Sequence, residues 1–141
     1  MNTELLLMAL SKYGTKELPG GQHEADILKY FEEIGHQWVK DDETPWCSAF
    51  INWCCLKAGY ERTGKLNARS WLDIGEKTDK PEIGDVVIFS RDNDPVKGHV
   101  GIFIREKGDM IFTLGGNQAN QVSVWPYLKT RVLGYRKLKK I

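Results

Sequence analysis

Cys47 is the second residue after Pro45, in the first turn of what the sequence marks as a helix, and that placement suits a nucleophile. The first four amides of a helix have no partner inside it, and the helix dipole favours an anion there. Both effects lower the pKa of a thiol, as thiolate chemistry requires. The Cys47 amide is also placed to donate to an oxyanion. Such a thiolate needs a base, and the chain has three histidines. His23 and His36 flank a helix and read as exposed or capping residues. His99 opens an alternating strand in which Val100, Ile102 and Ile104 share one face and His99, Gly101 and Phe103 the other. An imidazole among small neighbours leaves room for a substrate; a purely structural histidine is the alternative. A third group should orient the ring. One hairpin later a strand ends in Gly115-Gly116-Asn117-Gln118. Tight pairing of 99–105 with 110–116 brings Asn117 to the His99 end, where its carbonyl would meet the second ring nitrogen. A plain turn role is the alternative for Asn117. Together the three residues are candidates for nucleophile, base and orienting group.

The other cysteines do not join this chemistry. Cys54 and Cys55 lie two turns further along the same helix beside Trp53 and Leu56, and read as small buried hydrophobes. Three cysteines within one helix make a poor disulfide framework. Cys47 and Cys54 sit roughly 10 Å apart along the axis, too far to share a zinc that holds each sulfur at about 2.3 Å. No Cys-x-x-Cys or His-x-x-x-His spacing occurs, so no metal is assigned.

These residues need elements to hold them. Apolar positions at helical spacing predict helices over 3–13 and 24–34, with Gly35 as a stop. Pro19-Gly20-Gly21 marks the loop between them. Thr44 is a good N-cap and Pro45 suits the first helical position, so the Cys47 helix is expected to run to about Ala58 and end on Gly59. A short helical turn is expected over Ala68–Ile74. After Pro81 the period changes to alternation, predicting strands Asp85–Ser90, His99–Arg105, Met110–Leu114, Gln121–Trp125 and Val132–Leu138. Gly108-Asp109 and Asn117–Asn120 supply hairpin connections. Helices followed by about five antiparallel strands is an α+β arrangement.

Composition narrows the function. At 141 residues, with 41% hydrophobic and 28% charged, the chain reads as one globular domain, 1–141. Its longest apolar run, Leu5–Leu10, falls far short of the about 18 residues that cross a bilayer. That run also lacks a basic lead-in, so no secretion signal is expected. The net charge of +1 excludes a general polyanion binder, and no nucleic-acid motif is present. From Met110 to Ile141 there are six Lys or Arg and no acid, against 14 basic and 19 acidic groups in the rest. This tail reads as solvated lysines, or as an aid in meeting an anionic surface.

Thr44-Pro45-Trp46-Cys47-Ser48-Ala49-Phe50 resembles the nucleophile motif of CHAP and NlpC-type cysteine hydrolases. Pro81-Glu82-Ile83-Gly84-Asp85 resembles their Pro-x-x-Gly-Asp stretch, Gly98-His99-Val100-Gly101 their histidine strand, and Leu114–Gln118 their third-residue segment. The resemblance runs over residues 15–136 and is closest to a CHAP-like branch common in single-domain phage endolysins. It implies a papain-like fold, N-terminal helices packed on a roughly five-stranded antiparallel sheet. It implies cleavage of a peptidoglycan amide, with Cys47 as nucleophile, His99 as base and Asn117 as orienting residue. Some relatives carry an acid two residues before that Asn, where this chain has Gly115. Some bind calcium before the cysteine; Asp41-Asp42-Glu43 lies there without the alternate spacing of a loop site, so no cofactor is expected. Trp46 beside the nucleophile is expected to line the substrate cleft, with helix packing as the alternative.

The resemblance thus implies a monomeric lytic enzyme whose partner is bacterial peptidoglycan, with no stable membrane insertion. It would wait in the host cytoplasm for a pore-forming partner to release it to the wall. An antibacterial effector of the same chemistry is one alternative, and a silent wall-binding or virion module is another.

Overall fold

The computed structural model describes residues 2–17, 25–38 and 45–141. Three α-helices come first: α1 (Thr3–Leu10), α2 (Ala25–Glu33) and α3 (Cys47–Ala58). A 3₁₀ helix over Ala68–Asp73 follows, and then the strands β1 (Glu76–Thr78), β2 (Val86–Arg91), β3 (Asp94–Lys107), β4 (Met110–Gln118), β5 (Gln121–Leu128) and β6 (Val132–Lys137). They form one antiparallel sheet in the order β1-β6-β2-β3-β4-β5. The expected α+β class holds, with a sixth strand added. β1 has only three polar residues, Glu-Lys-Thr, too few to show an alternation.

α3 is the centre of the molecule. Every residue from Cys47 to Cys55 is buried, so this helix is enclosed on all sides. Its apolar side chains pack with Leu5, Ile27, Phe31 and the sheet residues Val100, Ile102 and Leu114. Its two buried polar residues, Ser48 and Asn52, are satisfied. Ser48 Oγ donates to the Lys65 carbonyl (2.7 Å) and accepts from Trp71 Nε1 (2.9 Å), while Asn52 Oδ1 accepts the Gly64 amide (2.7 Å). The helix closes on Gly59 in the left-handed conformation (φ 81°), as expected.

Its start differs from the expectation. Trp46 is the N-cap, without a side-chain cap bond, and Cys47 itself is the first helical residue. Pro45 therefore precedes the helix. The expected cap Thr44, the Pro19-Gly20-Gly21 loop, His23 and the Asp41-Asp42-Glu43 run lie outside the described residues.

Val87, Phe89, Phe103 and Ile111 form a second cluster, with Tyr127, Val132 and Tyr135 packed against it. The alternation read from β3 is thus observed, since Val100, Ile102 and Ile104 belong to the helix side and Phe103 to this second cluster. The Pro81–Asp85 stretch serves the fold. Buried Asp85 accepts the Glu82 amide (2.8 Å) and pairs with Lys137 Nζ (3.1 Å), tying the start of β2 to β6.

Candidate active site

His99 directly faces Phe89 across the β2–β3 ladder. Its ring stacks on Tyr127 at 4.8 Å between centroids, and Tyr127 in turn stacks on Phe89 at 4.8 Å. The imidazole is buried, with 4% of its residue surface exposed. Burial brings its pKa down to about 4; a hydrogen bond to Gln118 works against this, and the nearby Arg91 and Arg131 charges lower it further.

Gln118 supplies the ring's partner. His99 Nε2 lies 2.9 Å from Gln118 Oε1. The orientation of this amide is fixed independently of the histidine. Gln118 Nε2 donates to the carbonyls of Thr113 (3.0 Å) and Ser123 (2.6 Å), which can only accept. Thr113 Oγ1 donates to Oε1 at 2.8 Å. Oε1 therefore faces the imidazole, Nε2 carries the proton in that bond, and in the neutral ring Nδ1 is the bare, basic nitrogen.

Two glycines make room for this side chain. A Cβ at Gly115 would lie 2.7 Å from Gln118 Oε1, and one at Gly101 would lie 3.0 Å from Thr113 Cβ. Asn117, the residue expected to orient the ring, lines the cleft beside His99 instead. A β-bulge accounts for the difference. Gly115 pairs with Ser123 but Gln118 with Gln121, so β4 holds one residue more than β5 over this stretch. Asn117 sits in the left-handed region (φ 58°), and the extra residue brings Gln118 to the face of Thr113 and Gly115.

Cys47 is 5% exposed. Burial pushes its thiol up, and hydrogen bonds from the Val100 and Ser48 amides act in the opposite direction. The helix start does favour the thiolate, as the sequence indicates, but desolvation outweighs it, contrary to the expected net lowering. Cys47 and His99 share no hydrogen bond among the described residues. What links them is the Val100 amide, the residue after His99, and the electrostatic reach of Arg91 to both side chains. Cys54 and Cys55 are fully buried, with burial raising both thiols, as their packing role requires.

Two clefts adjoin here. One of about 410 Å³ is lined by His99, Asn117, Tyr127, Arg131 and the Ser90–Asn93 turn. The other, about 360 Å³, holds Cys47 and is walled by Pro45, Leu66 and the arm Val96–Gly98. Arg91 and Asp92 border both. The arm is held from below, since Arg69 donates to the carbonyls of Lys97 (2.9 Å) and Asp94 (2.6 Å).

Trp46 does not line either cleft. Its ring is fully buried, Nε1 donates to Glu17 Oε1 at 2.7 Å, and its face packs so tightly on Gly116 that a Cβ there would lie 2.7 Å from the ring. Packing, the alternative reading, is the observed one. Sequence reasoning missed Gln118, Tyr127, Arg91 and Arg131. The available signal for Gln118 was the glycine pair before it, which marks a bulge or a close approach.

Among the described residues no group of His, Cys, Asp and Glu is placed to hold a metal. No helix of the described residues is long and apolar enough to cross a membrane.

The CHAP domain matches residues 39–117 of the chain. A crystal structure of a protein similar to a lipoprotein of the NLP/P60 family, from Staphylococcus aureus subsp. aureus Mu50, superposes with a TM-score of 0.57 at 17% identity. The match covers 96% of this chain and 40% of that one, so the chain spans less than half of that structure's length. At this identity the likeness is one of fold. No curated protein matches.

Proposed function

The chain belongs to the CHAP domain family, and from that premise we propose that it is a cysteine hydrolase cutting a peptide amide of bacterial peptidoglycan. The observation that carries this reading is the buried Gln118 amide, which dedicates one nitrogen of His99 to a structural bond and leaves Nδ1 to act as a base beside the cysteine helix.

The chemistry runs from a neutral pair. His99 Nδ1 takes the thiol proton as Cys47 Sγ bonds to the amide carbon, and amides at the start of α3 that the helix does not use receive the oxyanion. The first bond within α3 runs from the Phe50 amide to the Trp46 carbonyl, so the amides of residues 47–49 are not used by the helix. The C–N bond breaks as His99 gives its proton to the leaving amine. Water then attacks the thioester with His99 as base, the C–S bond breaks, and the thiol recovers its proton. In this reading Cys47 is the nucleophile, His99 the base and Gln118 the positioning residue, with Asn117 in the cleft wall. The role we assign is wall lysis of the endolysin kind, supported by the nearness of four sequence motifs to that branch.

Gram-negative peptidoglycan incubated with wild type and with Cys47→Ala, products read by mass spectrometry, tests this. Cleavage by wild type alone is expected, and the fragment masses name the bond. Cleavage by both proteins would remove Cys47 from the mechanism. Cleavage by neither, with equal wall binding, would favour a silent module.

A further inference from the structure

The cleft on the His99 side carries more positive charge than the acyl transfer needs. Arg131 is a built feature. Its Nε and Nη2 donate to the Ser90 carbonyl at 2.9 and 2.7 Å, and its guanidinium lies 5.4 Å from the Tyr127 ring centroid. That fixes the group at the cleft wall with Nη1 left without an acceptor among the described residues. Arg91 lines the same cleft, half-exposed. Its one charged neighbour among the described residues, Asp92 Oδ2, is 4.0 Å from Nε, too long for a hydrogen bond. Asp92 is itself 69% exposed, so the cleft holds two guanidiniums against one solvated carboxylate.

We propose that Arg91 and Arg131 form a subsite for a free carboxylate on the peptide, next to the amide that is cut. Planar guanidinium forks with open donors are the side chains best matched to a carboxylate. Both sit in the cleft that contains the base, so the bound group adjoins the reacting bond. The arrangement also resolves a cost. Two cations near His99 weaken it as a base, and a bound carboxylate offsets their field when the substrate is present. The inference rests on the proposed hydrolase for its substrate class, a wall peptide. It goes further in stating which peptides are accepted: those with the carboxylate free, over those in which it is amidated.

The test is separable from catalysis. Full-length Cys47→Ala is titrated calorimetrically with the peptide L-Ala-γ-D-Glu-L-Lys carrying free carboxylates, and with its fully amidated form. The free form is expected to bind at least about tenfold more tightly. Adding Arg91→Gln should remove most of that preference, while Arg91→Lys keeps part of it. Lys107→Gln, a control charge at the far end of β3, should leave it intact. Equal affinity for the two peptides, no binding of either, or an equal effect of Lys107→Gln would each overturn the subsite. Cleavage of whole peptidoglycan by wild type is followed separately. A preference in peptide binding with no cleavage of the whole wall polymer would sink the hydrolase and leave the subsite standing.

Discussion

Gln118 Oε1 stands 2.9 Å from His99 Nε2, and two backbone carbonyls behind the amide prevent it from turning round. The tautomer of His99 is therefore written into a glutamine buried in the sheet. Replacing it with alanine frees the ring to exchange tautomers. Gln118→Ala is expected to lower kcat by about 10²- to 10⁴-fold, the range that general-base catalysis supplies, with little change in KM. Nitrogen-15 shifts of His99 should report a proton on Nε2 in wild type and a mixture in the variant. A wild-type ring protonated on Nδ1 would refute the assignment.

Gln118→Glu separates positioning from packing. It keeps an acceptor toward His99 but adds a negative charge, which favours the imidazolium. The acid limb of kcat/KM is expected to move to higher pH. A purely structural role for residue 118 would lower activity at every pH and leave the limb in place.

His99 also sets a pH dependence of stability. Its folded pKa is brought down to about 4, chiefly by burial, from an ordinary 6.5. Between those values the unfolded chain binds the proton and the folded one does not, so stability falls as pH drops from 6.5 toward 4. The full loss is about 3 kcal/mol. Urea unfolding of wild type and His99→Asn at pH 7 and pH 4.5 should show this extra loss only in wild type. In the free enzyme the same value places the acid limb of kcat/KM near pH 4.

Gly115 and Gly116 lie side by side yet fail differently when filled. A methyl at 115 runs into Gln118 Oε1, and one at 116 into the Trp46 ring, each at 2.7 Å. Gly115→Ala should therefore cost activity through the displaced amide. Gly116→Ala should destabilise the fold by about 1–3 kcal/mol through overpacking. Thermal melts beside turnover measurements distinguish the two.

Trp46→Phe removes the bond to Glu17 and part of a buried ring. We expect a loss of about 1–3 kcal/mol in stability and an unchanged KM on wall fragments. A raised KM with unaltered stability would return Trp46 to the substrate cleft.

Much of the molecule was legible in the chain. The Thr44-Pro45 start with Gly59 as stop and the alternation of β3 are local patterns, and they placed Cys47 at a helix start and His99 on a strand. The bulge in β4 was not legible from the alternation, because the inserted residue lies at the strand's end with no patterned residues after it, and only the Gly115-Gly116 pair marked it. The reading of Asn117 was therefore one residue out. Arg91 was missed for a related reason. β3 begins at Asp94, five residues before His99, after a two-residue turn in which Asp92 and Asn93 both have positive φ. The exposed, unpatterned residues of that arm gave no strand signal. The thiol's direction was misjudged because desolvation depends on what packs over residue 47, which no window around it contains.

The extra residue in β4 has a consequence for how such a site changes over time. The side chain that reaches the imidazole is chosen by the count of residues between Gly115 and the turn, and residue type comes second. Point substitutions at 118 can only damage the partner. A one-residue deletion at 116 or 117 would remove the bulge yet leave Gln118 two places after Gly115, still on the ring's face, whereas straightening β4 at its present length would put Asn117 there. The partner of the ring is thus set by the bulge and the register it imposes together.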